Sequence, residues 1–409
     1  MSVLRRKCGL KDISGGITAP LGFSAGTAEC GIKYPGRPDL VIIASDSTAA
    51  CAGVFTTNRI KGAPVIVSRE NVRSGKARAI IANSGNANTC NGEEGIDAAM
   101  TMTGQTAIFL GCDPSEVLIA STGVIGRPFP INRVVAGIPK AVENLSRLNG
   151  NLAARAIMTT DTVPKETSVE IEVGETSVRI GAIAKGSGMI CPDMATLLCF
   201  ITTDADVEQS ALRKALKHAV SVSFNCITVD GDMSTNDTVL ILANGRAGNA
   251  TVKSRSRAFD QFTEGLTEVC MRMAKALVMD GEGATKFITI QVTGAAGNED
   301  ARQVGLAIAN SPLVKTAFYG CDPNWGRIIC AAGYSGVAID EAHVTIALQK
   351  VTLFDTGRAL PINEEEMRKK LSSPDISVDI HLGMGQADAV IYTTDFSHEY
   401  IRINAEYTT

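Results

Sequence analysis

The sequence predicts an α+β fold, a layered α/β sandwich rather than a doubly wound parallel sheet. Short β-like runs bounded by turn residues occur along the chain together with amphipathic helical stretches. The two kinds of element do not alternate as a simple βαβ series. No solenoid period, low-complexity tract or long linker breaks the pattern. The 409 residues suffice for two or three domains or for one large composite fold.

The strands are predicted from runs of β-branched and apolar residues that lie between turn residues. Residues 167–173 and 177–184 flank Gly174-Glu175-Thr176, and this arrangement is typical of a hairpin. Four further strands are predicted, at residues 287–293, 344–354, 376–382 and 389–393.

Three helices are predicted from apolar side chains that recur at three- and four-residue steps. The clearest pattern covers residues 256–279. A second helix is predicted over residues 207–222, with Asp204 as its N-cap. A third begins at Asn363, whose distance from Glu366 in the sequence is that of a capping box.

The composition favours a cytoplasmic enzyme without nucleic-acid or membrane partners. The chain has 39 Lys and Arg against 43 Asp and Glu, so its formal net charge of −4 gives no basic excess for nucleic acid. No apolar stretch reaches the length of about 18 residues that a membrane span needs. The basic start, MSVLRRKCGLKDISGG, has no apolar segment behind it, unlike a secretory signal. The 11 cysteines are irregularly spaced, which fits reduced thiols in a cytosol.

Motifs for metal-dependent or histidine-dependent catalysis are missing from the sequence. It has no HExxH, CxxC, GxSxG or Walker pattern, and its four histidines are scattered. Asp230-Gly231-Asp232 resembles the start of a calcium loop, but Thr235 stands where the sharp turn needs glycine. We therefore interpret this segment as a tight turn and expect no metal site.

What remains is a set of loops rich in Gly, Ser, Thr and Asn, each of which alone is typical of a polar turn. The most specific is KGSGMICPDMATLL, which begins at Lys185, and the others are STGVIG, TTDTVPK, DGEGATK, GCDPNWGRI and the terminal INAEYTT. Together, and in this order, they resemble the ornithine acetyltransferase family over essentially the whole chain. One segment departs from the family pattern, because Cys191-Pro192-Asp193 stands where Ala-Pro-Asn is more usual.

The resemblance implies that the protein cleaves its own peptide bond between Ala195 and Thr196. The products would be an α chain, residues 1–195, and a β chain, residues 196–409, which together form one composite fold. Thr196 would then be the catalytic nucleophile. A physical argument supports this role, because a threonine hydroxyl needs a base held against it. Cleavage frees an α-amine with a pKa of about 8 on the same residue. The base and the nucleophile would therefore both belong to Thr196.

The resemblance also assigns roles to the other loops. The hydroxyl of Thr122 and the backbone N–H of Gly123 would form the oxyanion hole. The substrates N-acetylornithine and glutamate carry carboxylates, and ornithine adds an ammonium group, so their site needs a cation, polar donors and a carboxylate. The substrate-binding positions that match the family are Thr162, Lys185, Thr196, Glu282, Asn404 and Thr409. Since Thr409 is the last residue, the C-terminal segment must fold back over the site.

The function that the resemblance implies is ping-pong transfer of acetyl from N-acetylornithine to Thr196 and then to glutamate, in the cyclic arginine pathway. No metal or organic cofactor is implied, and a heterotetramer of two α and two β chains is expected. A bifunctional enzyme that also uses acetyl-CoA as a co-substrate is one alternative. A self-cleaving aminopeptidase or amidase is another, and a degenerate binding protein is a third, against which the intact Thr196 argues. The Asn-rich loop at residues 83–88 and Trp325 are expected to be structural.

Overall fold

The computed structural model describes residues 9–33, 35–191 and 197–406. Its strands are β1 (Lys11–Asp12), β2 (Phe23–Ala28), β3 (Leu40–Phe55), β4 (Lys76–Asn83), β5 (Val117–Ser121), β6 (Lys165–Val173), β7 (Thr176–Lys185), β8 (Leu198–Thr203), β9 (Thr238–Ala243), β10 (Phe287–Ala295), β11 (Thr345–Leu348), β12 (Val351–Asp355), β13 (Arg358–Ala359), β14 (Asp375–His381) and β15 (Ala387–Thr394). Its α-helices are α1 (Ala63–Asn71), α2 (Gly92–Leu110), α3 (Ile131–Glu143), α4 (Gly150–Ala156), α5 (Gln209–Ser221), α6 (Arg257–Met279), α7 (Asn298–Ala309), α8 (Pro312–Tyr319), α9 (Trp325–Gly333), α10 (Glu364–Leu371) and α11 (His398–Glu406).

A nine-stranded sheet organises the larger part of the structure. Its strand order is β1-β6-β7-β8-β9-β3-β4-β5, and β2 also pairs with β3. The pairs β8–β9 and β4–β5 are parallel, while the neighbouring pairs β7–β8 and β3–β9 are antiparallel. Parallel and antiparallel pairs therefore occur in one sheet, as expected for an α+β fold rather than a doubly wound one.

Helices cover both faces of this sheet. Helices α5 and α6 pack with apolar side chains of β6 to β9 in one core. Helices α1, α2 and α3 pack on the part of the sheet formed by β3, β4 and β5. Helix α4 packs on the opposite face, against side chains from β2, β3 and β8. The layered α/β sandwich predicted from the sequence is thus confirmed.

A six-stranded sheet with the order β13-β12-β11-β14-β10-β15 forms the rest of the structure. Its buried side chains pack against helices α7 to α10 in a separate core. The two sheets are joined by α6, which contacts β15 as well as β6 and β7. None of the helices in the described ranges combines the length and apolar character that a bilayer crossing requires.

Most of the elements predicted from the sequence are confirmed. β6 and β7 form the hairpin around Gly174, which has a φ of 67° that favours glycine. Ser256 caps α6 by accepting the N–H of Phe259, and Asn363 caps α10 by accepting the N–H of Glu366. Strands β10, β14 and β15 lie where three of the further strands were expected.

Two of the sequence-based assignments were wrong. The expected strand at 344–354 is two strands, because Gln349 and Lys350 turn the chain with positive φ angles of 49° and 65°. Asp204 does not cap the second helix, which begins at Gln209 with Glu208 before it. The Asp204 carboxylate instead accepts the N–H groups of Leu21 and Arg179, at 3.0 and 2.7 Å.

Candidate active site

A cleft of about 120 Å³ lies where β5 and β7 end and where the chain enters β9. Five of the site residues predicted from the sequence meet there: Thr122, Gly123, Lys185, Glu282 and Asn404. The cleft is also lined by polar residues that the sequence did not single out as functional, namely Thr159, Thr160, Asp230, Asp232, Ser234, Thr235, Asn236 and Tyr400. Thr196, Ala195 and Thr409 lie outside the described residues.

The end of β5 presents a hydroxyl and a backbone amide to the cleft. Thr122 is 7% exposed, and its N–H donates to the carbonyl oxygen of Asn83 at 3.0 Å. The N–H of Gly123 donates to no acceptor in the described part of the chain. Gly123 has a φ of 132°, and a Cβ there would lie 2.3 Å from the carbonyl carbon of Gly85. Only glycine therefore fits at this position.

The STGVIG segment does not cap a helix. The next helix, α3, begins at Ile131, after Pro130. The Asn-rich loop instead supports the segment, since Ser121 Oγ donates to Asn83 Oδ1 at 2.6 Å. This contact gives the loop the structural role expected from the sequence, at the base of the cleft.

Lys185, the last residue of β7, brings a buried ammonium group to Thr122. It is 3% exposed, and its Nζ donates to Thr122 Oγ1 at 3.3 Å. Burial lowers the pKa of Lys185, although the carboxylates of Asp161 and Glu282 favour its charged form. Burial would raise the pKa of Asp161, but the ammonium groups of Lys185 and Lys165 outweigh this effect and lower it. Asp161 is therefore the anion that balances the lysine charge behind the cleft.

A buried ion cluster fixes the DGEGATK loop behind this lysine. Lys165 Nζ lies 2.6 Å from Asp161 Oδ1 and 2.5 Å from Asp280 Oδ2. Thr162, a predicted substrate-binding residue, donates its hydroxyl and its N–H to Asp280 and does not line the cleft. In this structure Thr162 contacts Asp280 in the loop that carries Glu282, and it does not reach the cleft itself.

The acidic side of the cleft is formed by Glu282 together with Asp230 and Asp232. Glu282 is 8% exposed, and it accepts a hydrogen bond at 2.9 Å from Asn404 on α11. A Cβ on Gly188 would lie 2.3 Å from Glu282 Oε2, so a larger residue there would displace the Glu282 carboxylate. Helix α11 thus brings Asn404 to the cleft, whereas the predicted folding back of the C-terminus rests on Thr409, which lies outside the described residues.

The loop at residues 230–237 holds the chain on both sides of the undescribed residues 192–196. The Asp230 carboxylate accepts the N–H groups of Met189 and Ile190, at 2.6 and 2.9 Å. The Asp237 carboxylate accepts the N–H of Leu197 at 2.9 Å. Burial raises the pKa of Asp230 to about 6. The segment that resembles a calcium loop is therefore a turn that binds backbone amides, in agreement with the sequence-based interpretation.

The donors and charges of the cleft suit acyl transfer. Within the described ranges, no three His, Cys, Asp or Glu side chains are grouped so that they could hold a metal ion. The cleft offers a free amide and a hydroxyl beside a buried cation, which are the donors that an oxyanion needs. Its cationic and anionic groups face one small space, which suits a substrate that carries both charges.

Comparisons with known proteins identify the family. The model of the ArgJ family matches residues 24–409. A protein of Symbiobacterium thermophilum, named arginine biosynthesis bifunctional protein ArgJ, is 45% identical over 97% of this chain and 99% of its own length. The protein of the same name from Geobacter sulfurreducens is 46% identical over 95% of this chain and 99% of its own length. A solved ArgJ structure from Bacillus halodurans is 40% identical to this chain with a TM-score of 0.50, and the match covers 51% of this chain and 98% of the solved chain.

These matches confirm the resemblance seen in the sequence. The chain therefore belongs to the ArgJ family and is an acetyltransferase of arginine biosynthesis that acts on small molecules.

Proposed function

We propose that the enzyme transfers acetyl from N-acetylornithine to glutamate through an acetyl ester of Thr196, after it has broken its own Ala195–Thr196 bond. One observation supports this above all. The chain is held by Asp230 just before residues 192–196 and by Asp237 just after them, and the loop that carries both carboxyl groups lines the cleft with Asp230 and Asn236. The same cleft contains Thr122, Gly123 and Lys185.

Self-cleavage uses the same Thr196 hydroxyl as the later acyl transfer. The Thr196 hydroxyl attacks the Ala195 carbonyl, and the amide becomes an ester as the C–N bond breaks and frees the α-amine of Thr196. Water then hydrolyses the ester to the Ala195 carboxylate and the free Thr196 hydroxyl. The Bacillus halodurans chain supports two products of similar size, because 98% of it corresponds to only 51% of this chain. The fragments would be residues 1–195 and 196–409, in one composite fold.

In the first half of the exchange, the Thr196 α-amine takes the hydroxyl proton while the oxygen attacks the acetyl carbonyl of N-acetylornithine. The negative charge that develops on the carbonyl oxygen is stabilised by the Thr122 hydroxyl and the Gly123 N–H. Ornithine leaves as the amine, and the α-amine of glutamate then takes the acetyl group from Thr196. The cycle requires no metal or organic cofactor, because Thr196 itself carries the acetyl group.

Substrate binding follows from the charges of the cleft. Lys185 is the only cationic side chain among the described residues that line it, and it suits a substrate carboxylate. Glu282, Asp230 and Asp232 supply carboxylates that suit the ornithine ammonium. From the family resemblance we place Asn404 and Thr409 in the substrate site, whereas Thr162, which does not line the cleft, would support that site through its bonds to Asp280. On the same grounds we expect a cytoplasmic heterotetramer with two copies of each fragment.

A second activity, acetylation of glutamate from acetyl-CoA, is favoured by the printed names of the relatives. Both close relatives described above are named bifunctional proteins of arginine biosynthesis. An acetyl thioester would acylate Thr196 by the same attack, since only the leaving group differs. The oxyanion donors would be the same for both acetyl donors.

The test is an assay of the purified enzyme with N-acetylornithine plus glutamate and, separately, with acetyl-CoA plus glutamate. We expect N-acetylglutamate from the first pair, and a product from the second pair would establish the bifunctional form. Thr196→Ala should lose both self-cleavage and transfer, whereas Thr196→Ser keeps the hydroxyl and should retain part of each. Release of free acetate without N-acetylglutamate would instead indicate a hydrolase.

A further inference from the structure

A buried carboxyl group, Asp237, binds the chain directly after the proposed nucleophile. Asp237 is 1% exposed, and its Oδ1 accepts the N–H of Leu197 at 2.9 Å. Leu197 is the next residue after Thr196 in the chain. The second carboxyl oxygen, Oδ2, has no hydrogen-bond partner in the described ranges. Burial raises the pKa of Asp237 well above its usual range.

The backbone around Asp237 leaves this carboxyl group little freedom. The carbonyl oxygen of Asp237 accepts the N–H of Thr56 at 2.9 Å. The N–H of Thr238 donates to the carbonyl oxygen of Leu197 at 3.0 Å, at the start of the β8–β9 pairing. Leu197 is therefore held through both its N–H and its carbonyl, and only the first of these bonds depends on a side chain.

The preceding residue, Asn236, binds the part of the site that carries the proposed oxyanion donors, Thr122 and Gly123. Its Nδ2 donates to the carbonyl oxygens of Ser121 and Ala87, at 2.9 and 2.6 Å. Ser121 is the residue before Thr122, so this amide fixes the strand end that carries the oxyanion donors. Asn236 is itself oriented by the hydroxyl of Thr89, which donates to its Oδ1 at 2.6 Å.

We propose that Asp237 is a positioning residue for Thr196, and that the Asn236-Asp237 dipeptide sets the distance between the nucleophile and the oxyanion donors. This inference rests on the proposed role of Thr196. Asn236 fixes the donor side and Asp237 fixes the nucleophile side, and one peptide unit joins them. A loss of the Asp237 bond lets the chain after Thr196 shift relative to Thr122, and a misplacement of about 1 Å costs about 10²-fold in rate.

The test compares Asp237→Ala with Asp237→Asn, because Asn keeps an oxygen that accepts the Leu197 N–H. Three quantities are measured: the rate of self-cleavage, kcat and KM per cleaved molecule, and the midpoint of urea unfolding. We expect Asp237→Ala to lower the cleavage rate and kcat about 10²-fold with KM within about threefold. Asp237→Asn should restore most of both rates.

Asp204→Ala is the matched control. Asp204 is also 1% exposed and accepts two backbone N–H groups, but these belong to Leu21 and Arg179 and not to the chain beside Thr196. Its loss should lower the unfolding midpoint as much as Asp237→Ala does, while the cleavage rate stays close to that of the wild type.

Three results would overturn the inference. One is normal cleavage and kcat in Asp237→Ala. Another is an equal loss of rate in the Ala and Asn variants, because an acceptor oxygen would then not be the feature that matters. A third is a loss of rate in Asp204→Ala as large as in Asp237→Ala. Failure of the wild type to cleave would refute the proposed function instead, so the two failures are distinguishable.

Discussion

At the scale of single residues, the contact between Lys185 and Thr122 determines what the threonine hydroxyl can do. The ammonium group donates to Thr122 Oγ1 at 3.3 Å, so the oxygen acts as acceptor and its hydrogen is directed elsewhere. A hydroxyl polarised in this way is a stronger donor. In the proposed mechanism that hydrogen points to the oxyanion.

Thr122→Ala is therefore expected to lower kcat by about 10²-fold or more, because one donor to the oxyanion is lost. Thr122→Ser keeps a hydroxyl and should recover most of the activity. The measurement is kcat together with the urea unfolding midpoint on the same preparation. If kcat held while the midpoint fell, Thr122 would have only a structural role, and the oxyanion would be bound elsewhere.

Asp230 makes the stability of the protein depend on pH. Its folded-state pKa of about 6 lies above its ordinary value of 3.8, because burial disfavours the charge. The folded protein therefore binds more protons than the unfolded chain between these two values. The contribution of Asp230 to the free energy of unfolding is full below pH 4 and falls as pH rises to about 6.

Asp230→Asn should remove this dependence, since the amide does not titrate. We expect the drop in unfolding free energy between pH 4 and pH 7 to be smaller in the variant, by up to about 3 kcal/mol. Urea unfolding at several pH values provides the comparison. The lost hydrogen bond to a backbone amide shifts the whole curve but not its slope. Equal slopes in the two proteins would contradict the assignment.

At the scale of elements, the sequence was most informative where local chemistry determines the structure. Gly174 predicts the β6–β7 hairpin, and Ser256 predicts the start of α6, because a turn and a cap each depend on a few adjacent residues. Strands β8 and β9 were not predicted. Every residue of both is buried, since helices cover both faces, and the alternation that marks a half-exposed strand is missing.

The turn between β11 and β12 was missed for a different reason. Gln349 and Lys350 both have positive φ, a conformation that usually requires Gly, Asn or Asp. The Gln349 side chain compensates, because its Nε2 donates to the carbonyl of Asp375 and its Oε1 accepts the N–H of Ser377, at 2.9 and 3.0 Å. A bond to a distant strand cannot be seen in the local sequence.

Lys350→Gly should raise the free energy of unfolding by about 0.5–1 kcal/mol, because glycine relieves the left-handed strain at a φ of 65°. Gln349→Ala should act in the opposite direction, since it removes both bonds to β14. Activity should be unchanged in each variant, as neither residue lines the cleft. Urea midpoints that move together, or a destabilised Lys350→Gly, would contradict this account of the turn.

The site shows the same limit of local reasoning. The family resemblance identified five residues that meet in the cleft, although they lie between positions 122 and 404. It did not identify Asp230, Asn236 or Asp237, since a polar run in a loop is also typical of an ordinary turn. Their role follows from the parallel pairing of β8 with β9, which places residue 237 beside residue 197.

At the scale of the whole molecule, the sheet order explains how a cleaved chain would stay in one piece. β8 and β9 belong to residues 196–409, yet they lie between β7 and β3, which belong to residues 1–195. Two antiparallel pairings, β7–β8 and β3–β9, cross from one fragment to the other. Neither fragment contains a complete nine-stranded sheet.

The two fragments should therefore co-elute in equal amounts during size exclusion in native buffer and separate only in denaturant. Their separation needs the loss of both strand pairings and of the core that α5 and α6 share with β6 and β7. Size exclusion with denaturing electrophoresis of the peak provides the measurement. Elution of either fragment alone as a folded species would contradict the composite fold.

The central claim is that Thr196 carries the acetyl group, and intact mass tests it most directly. The enzyme is mixed briefly with N-acetylornithine in the absence of glutamate and quenched in acid. The masses of its fragments, and the residue that carries any added acetyl group, are then measured. The account predicts a fragment that begins Thr-Leu-Leu-Cys and is heavier by one acetyl group on Thr196, and the group should be lost when glutamate is added before the quench. An uncleaved chain that turns over normally, or an acetyl group on another residue that glutamate removes, would contradict it.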